Sequence, residues 1–230
     1  MKRLKHILTL PFQLYFMVIQ FWPGPVGNKL RYWYWRSRLG GMGKSVIISE
    51  GVYIDSPQNV FIGDHTWIDK NVILLAGAPD PKLRTTHFKT NSEFTREVGE
   101  IHIGSECHIA PFVVISGLGG ILIGDRSGIA SGSKLYSFSH HYRNLHNDDD
   151  CQPYNFTPMV SDSKQAMISG PIVIGSDCAL GVNCIMMPGV HFGTGSWLKA
   201  GSTAMRDIPE QSVSDGINHQ PKFKSSKSDS

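Results

Sequence analysis

The 230-residue chain has four cysteines and no Cys-x-x-Cys pair, so neither a zinc ribbon nor a disulfide scaffold is written into it. It also lacks a run of the ~20 apolar residues that a spanning helix needs. Its most apolar stretch, residues 7–22, is interrupted by Pro11. That stretch leads into Trp22-Pro23-Gly24-Pro25 rather than a small-residue cleavage site, which argues against a secretory signal. Net charge is slight: 22 Lys and Arg against 19 Asp and Glu leave +3, which excludes nucleic acid as the expected partner. With 18% charged and 40% hydrophobic residues, the composition is globular, neither disordered nor collagen-like.

Glycine, by contrast, is plentiful, with 24 residues spread along the chain, as a fold with many tight corners requires. Around them runs a repeat. Ile174, Leu180, Met186, Phe192, Leu198 and Ala204 are spaced by six. Four residues after each of the first five stands Cys178, Cys184, Val190, Ser196 or Ser202. The register recurs at Ile62, Ile68 and Leu74, at Ile103, Ile109 and Ile115, and at Ile123, Ile129 and Leu135, with Ile48 and Ile54 opening the series. A six-residue period is neither helical nor a strand alternation. It fits a short strand plus a corner, three such units closing one triangular coil and the coils stacking into a shared apolar column. Bulky side chains fill the faces and small ones sit near the corners. The glycines that follow the bulky residue, among them Gly63, Gly104 and Gly124, supply turning freedom. Cys107, Cys178 and Cys184 take inward small positions and read as buried thiols.

This divides the chain into an N-terminal apolar and aromatic segment (1–47), a coil domain (48–208) and a tail (209–230). The steps Ile54 to Ile62 and Ile115 to Ile123 are each eight residues, a two-residue insertion shared by one type of corner. Residues 76–100 and 137–170 break the pattern altogether, and long loops on a rigid solenoid are good sites for chemistry.

The run Ile-Gly-Ser-Asp-Cys-Ala-Leu-Gly-Val-Asn-Cys-Ile-Met-Met-Pro-Gly-Val at 174–190 is followed by Lys-Ala-Gly-Ser at 199–202 and Arg-Asp-Ile-Pro at 206–209. These residues resemble the hexapeptide-repeat acyltransferases, among them the galactoside, maltose and serine acetyltransferases and the O-acetyltransferases of polysaccharide biosynthesis. The resemblance implies an all-β fold, a left-handed parallel β-helix, where the general crossover rule would favour the right hand. It implies a homotrimer with sites between subunits, acetyl-CoA as donor with no metal required, and a sugar or polysaccharide precursor accepting at a hydroxyl, less readily at an amine. It places a general base after the coil segment 135–139, at His140 first and His141 second. Imidazole is suited to take the proton of an attacking hydroxyl, which is a poor nucleophile at neutral pH. Asp148, Asp149 and Asp150 follow and could fix the ring's tautomer. For the cofactor the resemblance carries over Ala200 and Gly201 beside the pantetheine arm and Arg206 toward a phosphate. Lys222 stands after a longer turn than relatives have, as a further cofactor-binding cation or a solvated tail lysine. Ala179, where relatives often carry Trp, and Met205 depart from the pattern.

Two other classes use such a coil. A γ-type carbonic anhydrase would need three converging histidines, for which His141, His146 and either His102 or His108 could be proposed. A non-catalytic trimeric scaffold would not need the histidine pair. Asp64, Asp125 and Asp177 are expected to satisfy corner N–H groups. The cytosolic donor and unpaired thiols point to the cytoplasm. The basic, aromatic segment 7–36 either caps the column or makes peripheral contact with the inner face of the plasma membrane.

Overall fold

The computed structural model describes residues 15–79, 86–147 and 149–222. The six-residue period becomes strands of two or three residues on three parallel faces, a left-handed β-helix of six complete coils. The first face stacks Gly41–Met42, Val60–Ile62, Ile101–Ile103, Ile121–Ile123, Ile172–Ile174 and His191–Phe192. The second runs from Ile47–Ile48 to Trp197–Leu198 and continues into Ser212–Ser214, onto which His219–Pro221 folds antiparallel. The third runs from Tyr53–Asp55 to Thr203–Ala204.

Register puts like on like. Ile62, Ile103, Ile123, Ile174 and Phe192 pair in one row, and Ile54, Leu74, Ile115, Leu135 and Met186 in another. All are buried, so each residue of a row is covered by the coils above and below. The small inward positions form a polar ladder at the corners. Thr66 Oγ1 donates to the Gly104 carbonyl (2.7 Å), Ser127 Oγ to Gly175 (3.0 Å) and Ser133 Oγ to Gly181 (3.0 Å), each reaching the next coil. Cys178 Sγ lies 3.2 Å from the Gly193 carbonyl in the same role, and burial pushes its thiol pKa up, as it does for Cys107 and Cys184.

Two details differ from the sequence expectation. The glycines after the bulky residues are needed for close stacking rather than for turning. A Cβ on Gly63 would lie 2.6 Å from the Gly104 carbonyl carbon, and one on Gly124 would lie 2.5 Å from the Ser176 nitrogen. Left-handed backbone falls instead on Ser45, His65, Glu106, Arg126 and Asp177 at the corner that follows. Asp64 and Asp125 do accept corner N–H groups, from Lys44 and Ser105 at 2.7 Å each. Asp177 is used differently: it forms a bidentate pair with Arg126 (2.7 and 2.9 Å), which holds its carboxyl below the usual range.

The described N-terminal segment caps the open end of the column. Helix Gly24–Arg36 buries Arg31 and Trp35 against the first coil and Gly27 against the Trp22 backbone. Arg31, 1% exposed, donates to the carbonyls of Ile48 (2.7 Å), Ile19 (2.9 Å) and Trp22 (2.8 Å) and to Asn28 Oδ1 (2.6 Å). These bonds tie residues 19–22, the helix and strand Ile47–Ile48 to one guanidinium.

Both long insertions leave from the corner between the third and first faces, the same corner that carries the eight-residue steps. They are not open loops. Phe138–His141 pairs antiparallel with Ala166–Ser169, which pairs parallel with Thr86–Phe88. A small fourth sheet thus joins the two insertions beside the column.

Candidate active site

The strand that carries the histidine pair grows out of the third face. After Lys134–Tyr136 the chain passes through Ser137, whose buried hydroxyl donates to the Ser116 carbonyl (2.8 Å) and accepts from the Gly119 N–H (2.9 Å). That anchor aims Phe138–His141 away from the column, where His140 stands opposite Met167 and His141 opposite Ala166.

The two histidines differ in what their rings meet. His140 is half-buried, and its Nε2 is buried with no hydrogen-bond partner. His141 is tied locally: its Nδ1 lies 2.9 Å from the Arg143 carbonyl, and its ring packs on Tyr142 at 4.6 Å. The same Nδ1 lies 3.3 Å from the Arg143 N–H, so the Arg143 backbone offers this nitrogen both an acceptor and a donor. Of the three aspartates, Asp148 lies outside the described residues. Asp150 is engaged within its own loop by Tyr154 (2.6 Å), Asn144 (3.1 Å) and the Gln152 N–H (3.0 Å), and these bonds lower its pKa. Asp149 donates its N–H to Asn147 Oδ1 (3.1 Å).

The residues expected at the cofactor lie elsewhere. Ala200 and Gly201 occupy the corner between the second and third faces. Gly201 has φ +72°, and a Cβ there would meet nothing within 4 Å. Arg206 follows Thr203–Ala204 at the corner that also carries the insertions, and is exposed. Lys222 is at the remaining corner, its Nζ donating to the Gly195 carbonyl (2.9 Å). One chain therefore spreads these residues over three corners, with Arg206 the one cofactor candidate at the corner that carries the histidines.

A groove of about 340 Å³ runs along the second face toward the Ala200 corner, lined by His108, Ala110, Gly128, Ala130, Ala179 and Val182 among others. It exists because Gly128 and Ala179 interrupt an outward row otherwise filled by Trp67, His108 and Trp197. A Cβ on Gly128 would meet nothing within 4 Å, so the chain's own packing does not demand glycine there. The absence of Trp at position 179 leaves part of this room.

The histidines of the zinc alternative are dispersed. His102 stacks on Phe61 (4.3 Å) on the first face and His108 on Trp67 (4.8 Å) on the second, while His146 Nε2 bonds the Thr86 carbonyl (2.8 Å). Among the described residues no three His, Cys, Asp or Glu form a metal-holding group. Two features of this region went unread in the sequence. His87 Nδ1 and Asn91 Nδ2 are buried without partners in the first insertion. Arg96 overhangs a first-face groove of about 450 Å³ lined by Phe61, His102, Asp125 and Ser176. The alternation Thr86-His87-Phe88 was a faint strand signal for the first of these.

A column of hexapeptide coils with histidine-bearing insertions at one corner defines a class, the hexapeptide-repeat proteins. Residues 171–203 match the family described as the hexapeptide repeat of succinyl-transferase. The chain is 26% identical over 180 residues to dTDP-4-amino-4,6-dideoxy-D-glucose acyltransferase of Escherichia coli, covering 78% of this chain and 79% of that one. AntD, an N-acyltransferase from Bacillus cereus solved with dTDP and 3-hydroxybutyryl-CoA, shares the fold at TM-score 0.62 and 19% identity, over 88% of this chain and 89% of that one. A maltose O-acetyltransferase from Clostridium difficile 630 does so at TM-score 0.51 and 16% identity, over 90% and 82%. The chain thus carries the hexapeptide repeat and is similar over most of its length to a sugar acyltransferase.

Proposed function

We propose that the protein transfers an acetyl group from acetyl-CoA to a hydroxyl of a sugar or sugar-nucleotide acceptor, with His140 as general base. The observation that carries this reading is the buried, unpartnered Nε2 of His140 on the sheet made by the two insertions. A buried ring nitrogen left without a partner is disfavoured by about 1–3 kcal/mol, and such groups are kept where a ligand completes them. Acetyl-CoA supplies an activated thioester. His140 Nε2 accepts the proton of the acceptor hydroxyl as its oxygen attacks, and returns it to the departing thiolate, so the imidazole ends neutral.

The open space at Gly201 and along the Gly128–Ala179 groove fits an extended pantetheine arm, with Arg206 available to a phosphate. Because this groove and His140 occupy different parts of one prism, we place the working site between two neighbouring copies of a trimer. The amino-sugar relative supports a second reading, in which the acceptor is an amine on a dTDP-sugar.

The test is thiol release from acetyl-CoA by wild type, His140→Ala and His141→Ala against neutral sugars, sugar nucleotides and 4-amino sugars. Turnover lost in His140→Ala, with coenzyme A still bound, supports the base assignment. Loss confined to His141→Ala transfers the role to the ring held by Arg143. No coenzyme A binding by the wild type sinks the acyl-transfer reading. Sedimentation that yields only monomer sinks the shared site.

A further inference from the structure

We propose that the N-terminal cap is a membrane-contact surface that lays one end of the β-helix on an anionic lipid bilayer. The inference is independent of the acyl-transfer chemistry. Helix Gly24–Arg36 has two sides. Gly27, Arg31 and Trp35 are buried, while Val26, Leu30 and Trp33, at spacings of four and three, face outward at 60%, 37% and 63% exposure. Phe21 (60% exposed) and Trp22 (48%) extend the apolar surface across the turn that precedes the helix. Single exposed apolar residues are ordinary, but a row of five containing three aromatics is an interaction surface.

Charge selects the partner. The first 49 residues contain Lys2, Arg3, Lys5, Lys29, Arg31, Arg36, Arg38 and Lys44 and no Asp or Glu; the first carboxylate of the chain is Glu50. Arg31 is spent inside the cap, but Lys29, Arg36, Arg38 and Lys44 are exposed. Arg36 and Arg38 lie over the rings of Tyr32 and Tyr34, at 5.8 and 3.7 Å. A second copy meeting this face symmetrically would set cations against cations. An anionic headgroup layer accepts both components, aromatics at the interface depth and cations at the phosphates. Among the described residues no helix is long and apolar enough to cross a membrane, and the contact proposed is one of a helix lying in the surface.

The experiment is co-sedimentation of the full chain with phosphatidylcholine vesicles, with and without phosphatidylglycerol. The expected result is binding stronger by about tenfold or more on the anionic vesicles, weakened by salt. The double variant Phe21→Ser, Trp33→Ser should lose about tenfold on both vesicle types while keeping its circular dichroism and coenzyme A affinity. Lys29→Glu with Lys44→Glu should remove the preference for anionic vesicles alone. Equal partition of the wild type onto both vesicles, or no binding to either, overturns the proposal. So does undiminished binding by the Phe21, Trp33 variant. A smaller oligomer for that variant, with no vesicle binding by the wild type, would assign the face to another copy of the chain.

Discussion

The stacked coils and the two insertions solve the same problem differently. In the column, the polar side chains that point inward are bonded. Thr66, Ser127 and Ser133 each hand a hydroxyl proton to the next coil and accept an N–H from Cys107, Cys178 or Cys184 at 3.1 Å. Among the described residues, the buried side-chain polar atoms without a partner are His87 Nδ1, Asn91 Nδ2 and His140 Nε2, and all three lie in the insertions. A repeat satisfies its polar groups by translation, because the next coil always offers the same carbonyl. An insertion has no such neighbour. It keeps an unmet group only where an outside partner rewards it.

The comparison is broken or upheld by what each region loses on mutation. The largest effect expected is on catalysis. His140→Ala should lower kcat by about 10²–10⁴-fold, ~3–5 kcal/mol in barrier, and leave the melting temperature nearly unchanged. Five residues upstream, Leu135 is fully buried in the third-face row. Leu135→Ala should lower unfolding free energy by about 2–5 kcal/mol in urea titration while the residual folded enzyme keeps its kcat. A His140→Ala protein that melts early, or a Leu135→Ala protein that folds normally but is catalytically dead, would erase the distinction between scaffold and site.

Ser127→Ala probes the ladder itself. It removes the 3.0 Å bond to the Gly175 carbonyl and strands the Cys178 N–H that the hydroxyl accepted at 3.1 Å. Because the Cys178 N–H is buried and the Gly175 carbonyl partly so, the expected loss is about 1–3 kcal/mol, read by the same titration. A loss no larger than that of an exposed serine would mean that the coils do not depend on the ladder.

The column was legible because its signal is repeated: one misassigned residue is outvoted by five others in the same row. The insertions were visible only as interruptions. Their sheet pairs residues as distant as Thr86 and Met167, and no local pattern reports a pairing of that range. His140 and His141 were found by resemblance. What separates them, a buried Nε2 against an Nδ1 held by the Arg143 carbonyl, depends on tertiary placement that adjacent identical letters cannot carry. Glycine was misread for a related reason. Its contact is with the next coil, at Gly104 for Gly63, Asp125 for Gly104 and Ser176 for Gly124, while a sequence argument looks first for a turn. Arg31 stood among aromatics that suggested a membrane, and only the fold shows its guanidinium turned inward onto backbone carbonyls.

The smallest effect concerns the last strand, which belongs to neither region. His219–Pro221 pairs antiparallel with Ser212–Ser214 through a turn in which Asp215 accepts the N–H groups of Ile217 (3.0 Å) and Asn218 (2.7 Å) and the Asn218 amide (3.1 Å). Those bonds favour the charged form and hold the carboxyl at about 2, against an ordinary 3.8. With the folded pKa depressed, the unfolded turn binds the proton more readily, so the turn's contribution is complete above pH 3.8 and is lost as pH falls toward 2. The group is exposed, so salt screens the charged part of the effect. Hydrogen exchange at Val213 and Gln220 should therefore accelerate between those pH values in the wild type while the coil amides stay protected. In Asp215→Asn the same amides should exchange faster at neutral pH and show no acid step. An acid step that survives the substitution would move its origin to another carboxylate and leave the tail strand as firmly held as the coils.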